Sequence, residues 1–272
     1  MANGINKFEN FTDERDRFIP SDSDRKKTLK SVRDRESIKS AVEYGYIDAC
    51  RTMSGIKKYE DKKNTAIDAI VTKLLNYFTA EPAPTDENTF DEKHEEMCKE
   101  WTDAFDDNNI STCGKAQKIV NMAFKYLYCC GDADNHNEYF KFCHVPLDSI
   151  TLEWFYRKLK EEDAGLTRDS ILPWSKIEEY GDLEDKDACM NEAHEKDGHS
   201  YMYFQNYFRK WFEGQDKITP LQAEFIYWPL TQKTLAAETF LKSITDEGND
   251  LIGNPISDDN LKAIHKKIKE KI

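Results

Sequence analysis

Apolar residues recur every three to four positions along most of this sequence, which is the spacing of one buried face of an α-helix. The segments RESIKSAVEYGYIDACRTM, TAIDAIVTKLLNYFTA and DEKHEEMCKEWTDAFDDN all follow this pattern. Only 11 glycines and 8 prolines interrupt the 272 residues, so few positions force the chain to turn. The spacing therefore predicts a mainly α-helical protein.

The proline-bearing loop EPAPTDEN, at residues 81–88, ends one of these predicted helices and is a candidate boundary between two lobes near residues 80–90. Residues 1–35 are polar and charged, which predicts a charged N-terminal arm. Residues 36–272 are then expected to form a single domain with two lobes. The absence of an internal repeat in the sequence argues against a solenoid.

The formal net charge is −13, from 39 Lys and Arg against 52 Asp and Glu. Proteins that coat nucleic acid draw their affinity from basic residues, so this balance argues against that class. Basic residues do cluster in DRKKTLKSVRDR, YRKLK and IHKKIKEKI, which allows a local basic face. Acidic runs such as TDENTFDEKHEE predict solvated faces, or alternatively a partner-binding or DNA-mimicking surface.

Seven cysteines without a framework spacing fit free thiols in a reducing compartment. The first residues lack an apolar core of signal-peptide length, and no stretch has the length of a membrane span. We therefore expect a cytoplasmic protein with no membrane partner.

Potential metal ligands concentrate between residues 129 and 144, but their spacing is irregular and contains no C-x-x-C knuckle. The string HEKDGH resembles a zinc-protease motif, yet its histidines stand five residues apart where the motif needs four. We predict no metal and no cofactor. The potential metal ligands between residues 129 and 144 are Cys129, Cys130, His136, Cys143 and His144.

Two lysines stand near the start of an apolar helix predicted over about residues 115–130, within GKAQKIVNMAFK. A lysine amine attacks only when neutral, and burial or nearby positive charge lowers the pKa of a lysine from its usual value of about 10.4. Lys118 lies one turn after Lys115, close to the positive end of the helix dipole. Further on, HVPLDSITLEW places Asp148 after Pro146, where the N-cap of the next helix is expected.

This sequence resembles the helix-hairpin-helix superfamily of DNA glycosylases, in particular its archaeal 8-oxoguanine branch. The resemblance is carried by the glycine, the lysine near the start of an apolar helix and the later V-P-L-D stretch. The resemblance implies a two-lobed helical bundle with a helix-hairpin-helix-like element, in an enzyme of DNA repair. Such an enzyme excises an oxidised or modified base from duplex DNA, and its lysine nucleophile can add lyase activity.

By this resemblance, Lys118 is the nucleophile that attacks C1′, with Lys115 as the alternative, and Asp148 supports departure of the base. Gly114, Lys115 and Gln117 are expected to contact DNA, because the hairpin of the family holds a phosphate. The usual L-P-G-V-G hairpin is replaced here by NNISTCGKAQK, which has one glycine.

A base that is flipped out of the duplex needs an aromatic pocket, and Trp154, Trp211 and Trp228 are the candidates. Ordinary helical core is the alternative for these residues. For Lys118 the alternative is a lysine whose stem covers apolar surface, and for Asp148 it is a simple N-cap. The alternative function is a non-enzymatic acidic α-helical interaction protein that binds a protein partner.

Overall fold

The structure, a computed structural model, describes residues 11–20, 22–183, 199–213, 218–251 and 266. In these ranges the chain is mainly α-helical and contains no β-strand, which confirms the predicted class. The α-helices of the described residues are α1 (Phe11–Phe18), α2 (Asp24–Thr28), α3 (Arg35–Ala49), α4 (Glu60–Thr79), α5 (Glu87–Thr102), α6 (Cys113–Leu127), α7 (Ser149–Glu162), α8 (Tyr201–Phe212) and α9 (Pro220–Leu251).

Short polar side chains define where several helices begin. Asp34 accepts a hydrogen bond from the amide of Ser37 at the start of α3, and Asp86 caps α5 in the same way. Thr112 caps α6 by accepting from the amide of Lys115. A capping oxygen satisfies one of the amides that the first turn of a helix leaves without a partner, so α6 begins at Cys113, two residues before the predicted start.

Helix α6 lies at the centre of the fold, where it packs against α3, α5 and the short helical turn Trp174–Lys176. All of its residues are buried. The 3.6-residue period places Lys118, Asn121 and Lys125 on the one face of this helix that is not apolar, which predicts a polar face, yet all three residues are buried as well. Buried polar groups persist where hydrogen bonds or ion pairs replace water, and these three side chains have such partners.

The described part of the predicted N-terminal arm packs against the rest of the fold. Phe11 stacks on Tyr128 with ring centroids 5.8 Å apart, and Phe18 meets Phe225 edge to face at 5.6 Å. Ile19 is also buried. These apolar residues are interspersed among the charges of the predicted N-terminal arm and tie the described part of it to the rest of the fold. Residues 1–10 lie outside the described ranges.

The chain divides into two compact units, residues 1–226 and residues 227–272. The division falls within α9, and not at the proline-bearing loop near residues 80–90. That loop joins α4 to α5, which pack directly against each other and so belong to one unit. Across the described residues, no helix combines the length and the apolar character that crossing a membrane requires.

Candidate functional site

Lys118 and Asp148, the two residues singled out by the sequence, lie in direct contact. The Nζ of Lys118 donates a hydrogen bond to Oδ2 of Asp148 at 2.9 Å. The lysine side chain is 6% exposed and the aspartate side chain 16% exposed. The structure thus holds an amine and a carboxylate together at a largely buried place, where the aspartate is the more exposed of the two.

The two oxygens of Asp148 have different partners. Oδ1 accepts hydrogen bonds from the amides of Ile150 and Thr151, at 2.9 and 2.8 Å, and thereby caps α7. Oδ2 is the oxygen that accepts from Lys118. The capping and pairing interpretations of this residue are therefore compatible, since the helix cap fixes the carboxylate in the orientation that the lysine needs.

A second buried ion pair lies next to the first. Lys125, two turns after Lys118 on α6, contacts Glu224 of α9 with an Nζ to Oε2 distance of 2.5 Å. Burial raises the pKa of Glu224, Lys125 opposes this rise, and the charges of Asp148 and Lys118 also act on it. Glu224 is not among the site residues predicted from the sequence. The sequence feature that could have indicated it is an acidic residue inside the apolar run PLQAEFIYW.

Lys115, the alternative nucleophile, has a different partner. Its Nζ donates to the carbonyl oxygen of Asn108 at 2.8 Å, in the loop that precedes α6. Burial lowers the pKa of Lys115, and the nearby positive charge of Lys176 lowers it further. Lys118, and not Lys115, is therefore the lysine paired with Asp148.

Gly114 contacts another segment of the protein instead of an open surface. Its amide donates to the carbonyl oxygen of Ile177 at 2.9 Å. A Cβ atom on Gly114 would lie 1.7 Å from the carbonyl oxygen of Trp174, so only glycine permits this close approach. Residues 174–177 thus cover the start of α6, and the amide expected to hold a DNA phosphate is already bonded.

Gln117 is fully buried, which also differs from the expected contact with DNA. Its Nε2 donates to the carbonyl oxygens of Gly114 and Leu147, at 2.8 and 3.1 Å. The side chain therefore joins the first turn of α6 to the segment that precedes Asp148, which is a role inside the protein.

Two of the three tryptophans proposed as a base pocket, Trp154 and Trp211, pack against each other. Trp154 stacks on Phe208, with centroids 5.6 Å apart and ring planes at 11°, and meets Trp211 edge to face. These contacts belong to the packing of α7 on α8, in agreement with the helical-core alternative. Trp228 lies in α9, in the unit formed by residues 227–272.

A buried polar network, which was not predicted from the sequence, lies between α5 and α8. Arg209 donates to both oxygens of Asp91, and His144 Nε2 lies 2.8 Å from Oδ1 of the same carboxylate. Tyr201 bonds the other ring nitrogen of His144 at 2.8 Å. Burial alone would raise the pKa of Asp91, but the hydrogen bonds from Arg209 and His144 hold it well below its usual range.

The potential metal ligands of the sequence do not assemble into a site in the part of the chain that the structure describes. There, no group of three or more His, Cys, Asp or Glu side chains is arranged to hold a metal ion. Cys129 and Cys143 are free, buried thiols. Of the HEKDGH string, only His199 lies in the described residues.

Comparisons of the whole chain with protein-family models, with curated proteins and with solved structures found no match.

Proposed function

We propose that this protein is a DNA glycosylase, acting in the cytoplasm on an oxidised or modified base, with Lys118 as nucleophile and Asp148 as its acidic partner. One observation carries the proposal. The Lys118 amine lies 2.9 Å from one oxygen of Asp148, while a helix cap holds the other oxygen. A nucleophile, a proton acceptor and a group that orients the acceptor are the components that covalent catalysis by an amine requires.

In the proposed reaction, the ammonium of Lys118 first passes a proton to Oδ2 of Asp148 and becomes a neutral amine. The N-glycosidic bond breaks, its electron pair leaves with the base, and the base takes up the proton that Asp148 had accepted, which restores the carboxylate as the base departs. The amine then forms a bond to C1′. The bond from C1′ to the ring oxygen breaks, a proton moves from the nitrogen to that oxygen, and the opened sugar is held as a Schiff base. Elimination of the 3′ phosphate from this intermediate would be the lyase step.

A carboxylate at this position also stabilises the transition state. As the base departs, positive charge develops on C1′ and the ring oxygen of the sugar, and a fixed negative charge in a site of low polarity favours that charge. Asp148 is restrained by two backbone amides, so little reorganisation is needed when the charge appears. The chemistry uses only side chains and needs no cofactor.

We also propose that α5, residues 103–112 and α6 correspond to the helix-hairpin-helix-like element of a two-lobed fold. Binding of a phosphate by the Gly114 amide would require residues 174–177 to leave the start of α6, since Ile177 accepts from that amide. Contact between Lys115 and DNA would require the hydrogen bond from Lys115 Nζ to the Asn108 carbonyl oxygen to break.

Borohydride trapping tests the proposal. The protein is incubated with duplex oligonucleotides that contain 8-oxoguanine, another altered base or an abasic site, and reduction converts a Schiff base into a stable adduct. We expect an adduct that is lost in Lys118→Gln and retained in Lys115→Gln, the matched control one helical turn away. Circular dichroism checks that both variants are folded. An adduct that survives in Lys118→Gln, or no adduct from any duplex, would contradict the proposal.

The second candidate is a non-enzymatic acidic protein that binds a protein partner. The net charge of −13 favours it, as does the covered start of α6. A folded protein that forms no adduct with any altered duplex would support this candidate.

A further inference from the structure

The segment that leads into Asp148 is buried and irregular. The backbone amide and the backbone carbonyl of both Val145 and Leu147 are nevertheless hydrogen-bonded. Gln205 of α8 pairs with Val145: its Oε1 accepts from the Val145 amide at 3.0 Å, and its Nε2 donates to the Val145 carbonyl at 2.9 Å. Gln117 of α6 pairs with Leu147 in the same manner, at 3.2 and 3.1 Å. Buried backbone groups need such partners, and here two side-chain amides supply them.

These pairs fix the segment on both sides of Pro146, which has no amide hydrogen of its own. Asn121 connects them, because its Nδ2 donates to Oε1 of Gln117 at 2.9 Å and lies 3.4 Å from the Val145 carbonyl. The three amide side chains are at most 1% exposed.

The direction of each hydrogen bond follows from the backbone. The Leu147 amide can only donate and its carbonyl can only accept, so the oxygen and nitrogen of Gln117 are fixed. Gln117 Oε1 therefore accepts from Asn121 as well, which makes the nitrogen of Asn121 a donor. A side chain without this donor and acceptor pair cannot replace either glutamine.

We infer that Gln117 and Gln205 are positioning residues that set where the Asp148 carboxylate stands relative to the Lys118 amine. This inference rests on the proposed function. Gln117 precedes Lys118 on the first turns of α6, and its partner Leu147 precedes Asp148. The same turn of helix thus carries the amine and holds the chain beside the carboxylate. Gln205 acts on the other side of Pro146 and holds the segment from α8.

The test compares Gln117→Met and Gln205→Met with Asn206→Leu. Asn206 adjoins Gln205 on α8, is buried, and its side-chain amide makes no hydrogen bond to the described residues. We expect single-turnover trapping on an abasic duplex to slow about 10-fold to 100-fold in both methionine variants, because small misplacements of reacting groups have effects of this size. Affinity for the same duplex should be unchanged, and Asn206→Leu should trap at the wild-type rate.

A double-mutant cycle separates positioning from general damage. If the glutamines act through Asp148, Gln117→Met should slow trapping much less when Asp148 is already replaced by Asn. Equal slowing of trapping in both backgrounds would overturn the inference.

Hydrogen exchange gives a readout that does not depend on activity. The amides of Ile150 and Thr151 report the position of the carboxylate, since both donate to Oδ1 of Asp148. We expect these two amides to exchange faster in Gln117→Met than in Asn206→Leu, and equal exchange would overturn the inference. If wild-type protein forms no adduct, the proposed function fails, and the exchange result still decides whether the glutamines position Asp148.

Discussion

Replacing Gly114 with alanine tests whether residues 174–177 cover the start of α6 in solution. The new Cβ would lie 1.7 Å from the Trp174 carbonyl oxygen and 2.8 Å from its carbonyl carbon. Carbon and oxygen atoms normally approach to no less than about 3.3 Å, so one of the two backbones must move by more than 1 Å. Both atoms in the overlap belong to backbone or to its attached Cβ, so no rotation of a flexible side chain relieves it.

The expected loss of stability follows from three contributions. Forcing an extra methyl group into a packed site costs about 1–3 kcal/mol. Moving residues 174–177 away also breaks the bond from the Gly114 amide to Ile177, which costs about 1 kcal/mol. Alanine is the better helix former and offsets about 1 kcal/mol of this. The net decrease in the free energy of unfolding should therefore be about 1–3 kcal/mol.

Urea unfolding followed by circular dichroism measures this decrease. Gly131→Ala is the matched control, because its new Cβ would meet only the Lys30 carbonyl oxygen, at an ordinary 3.5 Å. We expect the control to change the free energy of unfolding by less than about 0.5 kcal/mol, as substitutions away from special features usually do. Equal stability of the two variants would refute the close contact and reopen Gly114 as a phosphate contact.

Two further predictions concern the network around Asp91. Arg209→Met leaves the buried Asp91 carboxylate without its charged partner and should lower the free energy of unfolding by about 3–5 kcal/mol. The loss should be smaller when Asp91 is replaced by Asn as well. A loss below about 1 kcal/mol in urea unfolding would contradict this prediction. Burial lowers the pKa of His144 to about 4, so the unfolded chain takes up the proton first as pH falls below about 6.5. Stability present at pH 7.5 should then decline toward pH 4 by up to about 3 kcal/mol, and His144→Gln should flatten that decline; parallel curves for the two proteins would count against it.

The helical class could be predicted because it depends on local spacing. Apolar residues at intervals of three to four and capping residues such as Asp86 and Thr112 are visible in the sequence itself. The pairing of Lys118 with Asp148 also has a local basis, since an N-cap aspartate after Pro146 projects one oxygen away from its own helix. Its interpretation as a catalytic pair stays a prediction.

The surroundings of the pair could not be predicted, because they come from distant parts of the chain. Helical periodicity assigns Lys125 and Asn121 to a polar face, since it cannot anticipate Glu224 or the backbone at residues 144–147. The covering of α6 by residues 174–177 has one trace in the sequence, the glycine at position 114. A glycine there fits a phosphate contact and a close backbone contact equally well.

The distance along the chain between Val145 and Gln205 has a consequence for biosynthesis. Residues 118 and 148 leave the ribosome before residue 205 does, so the amine and the carboxylate exist for a time without the glutamine from α8. During that interval the Val145 amide and carbonyl must be hydrated or bonded elsewhere. Ordering of the segment before Asp148 is therefore expected to wait for α8. Under the proposed function, a nascent chain released before residue 205 should form no adduct with an abasic duplex even though it contains Lys118 and Asp148.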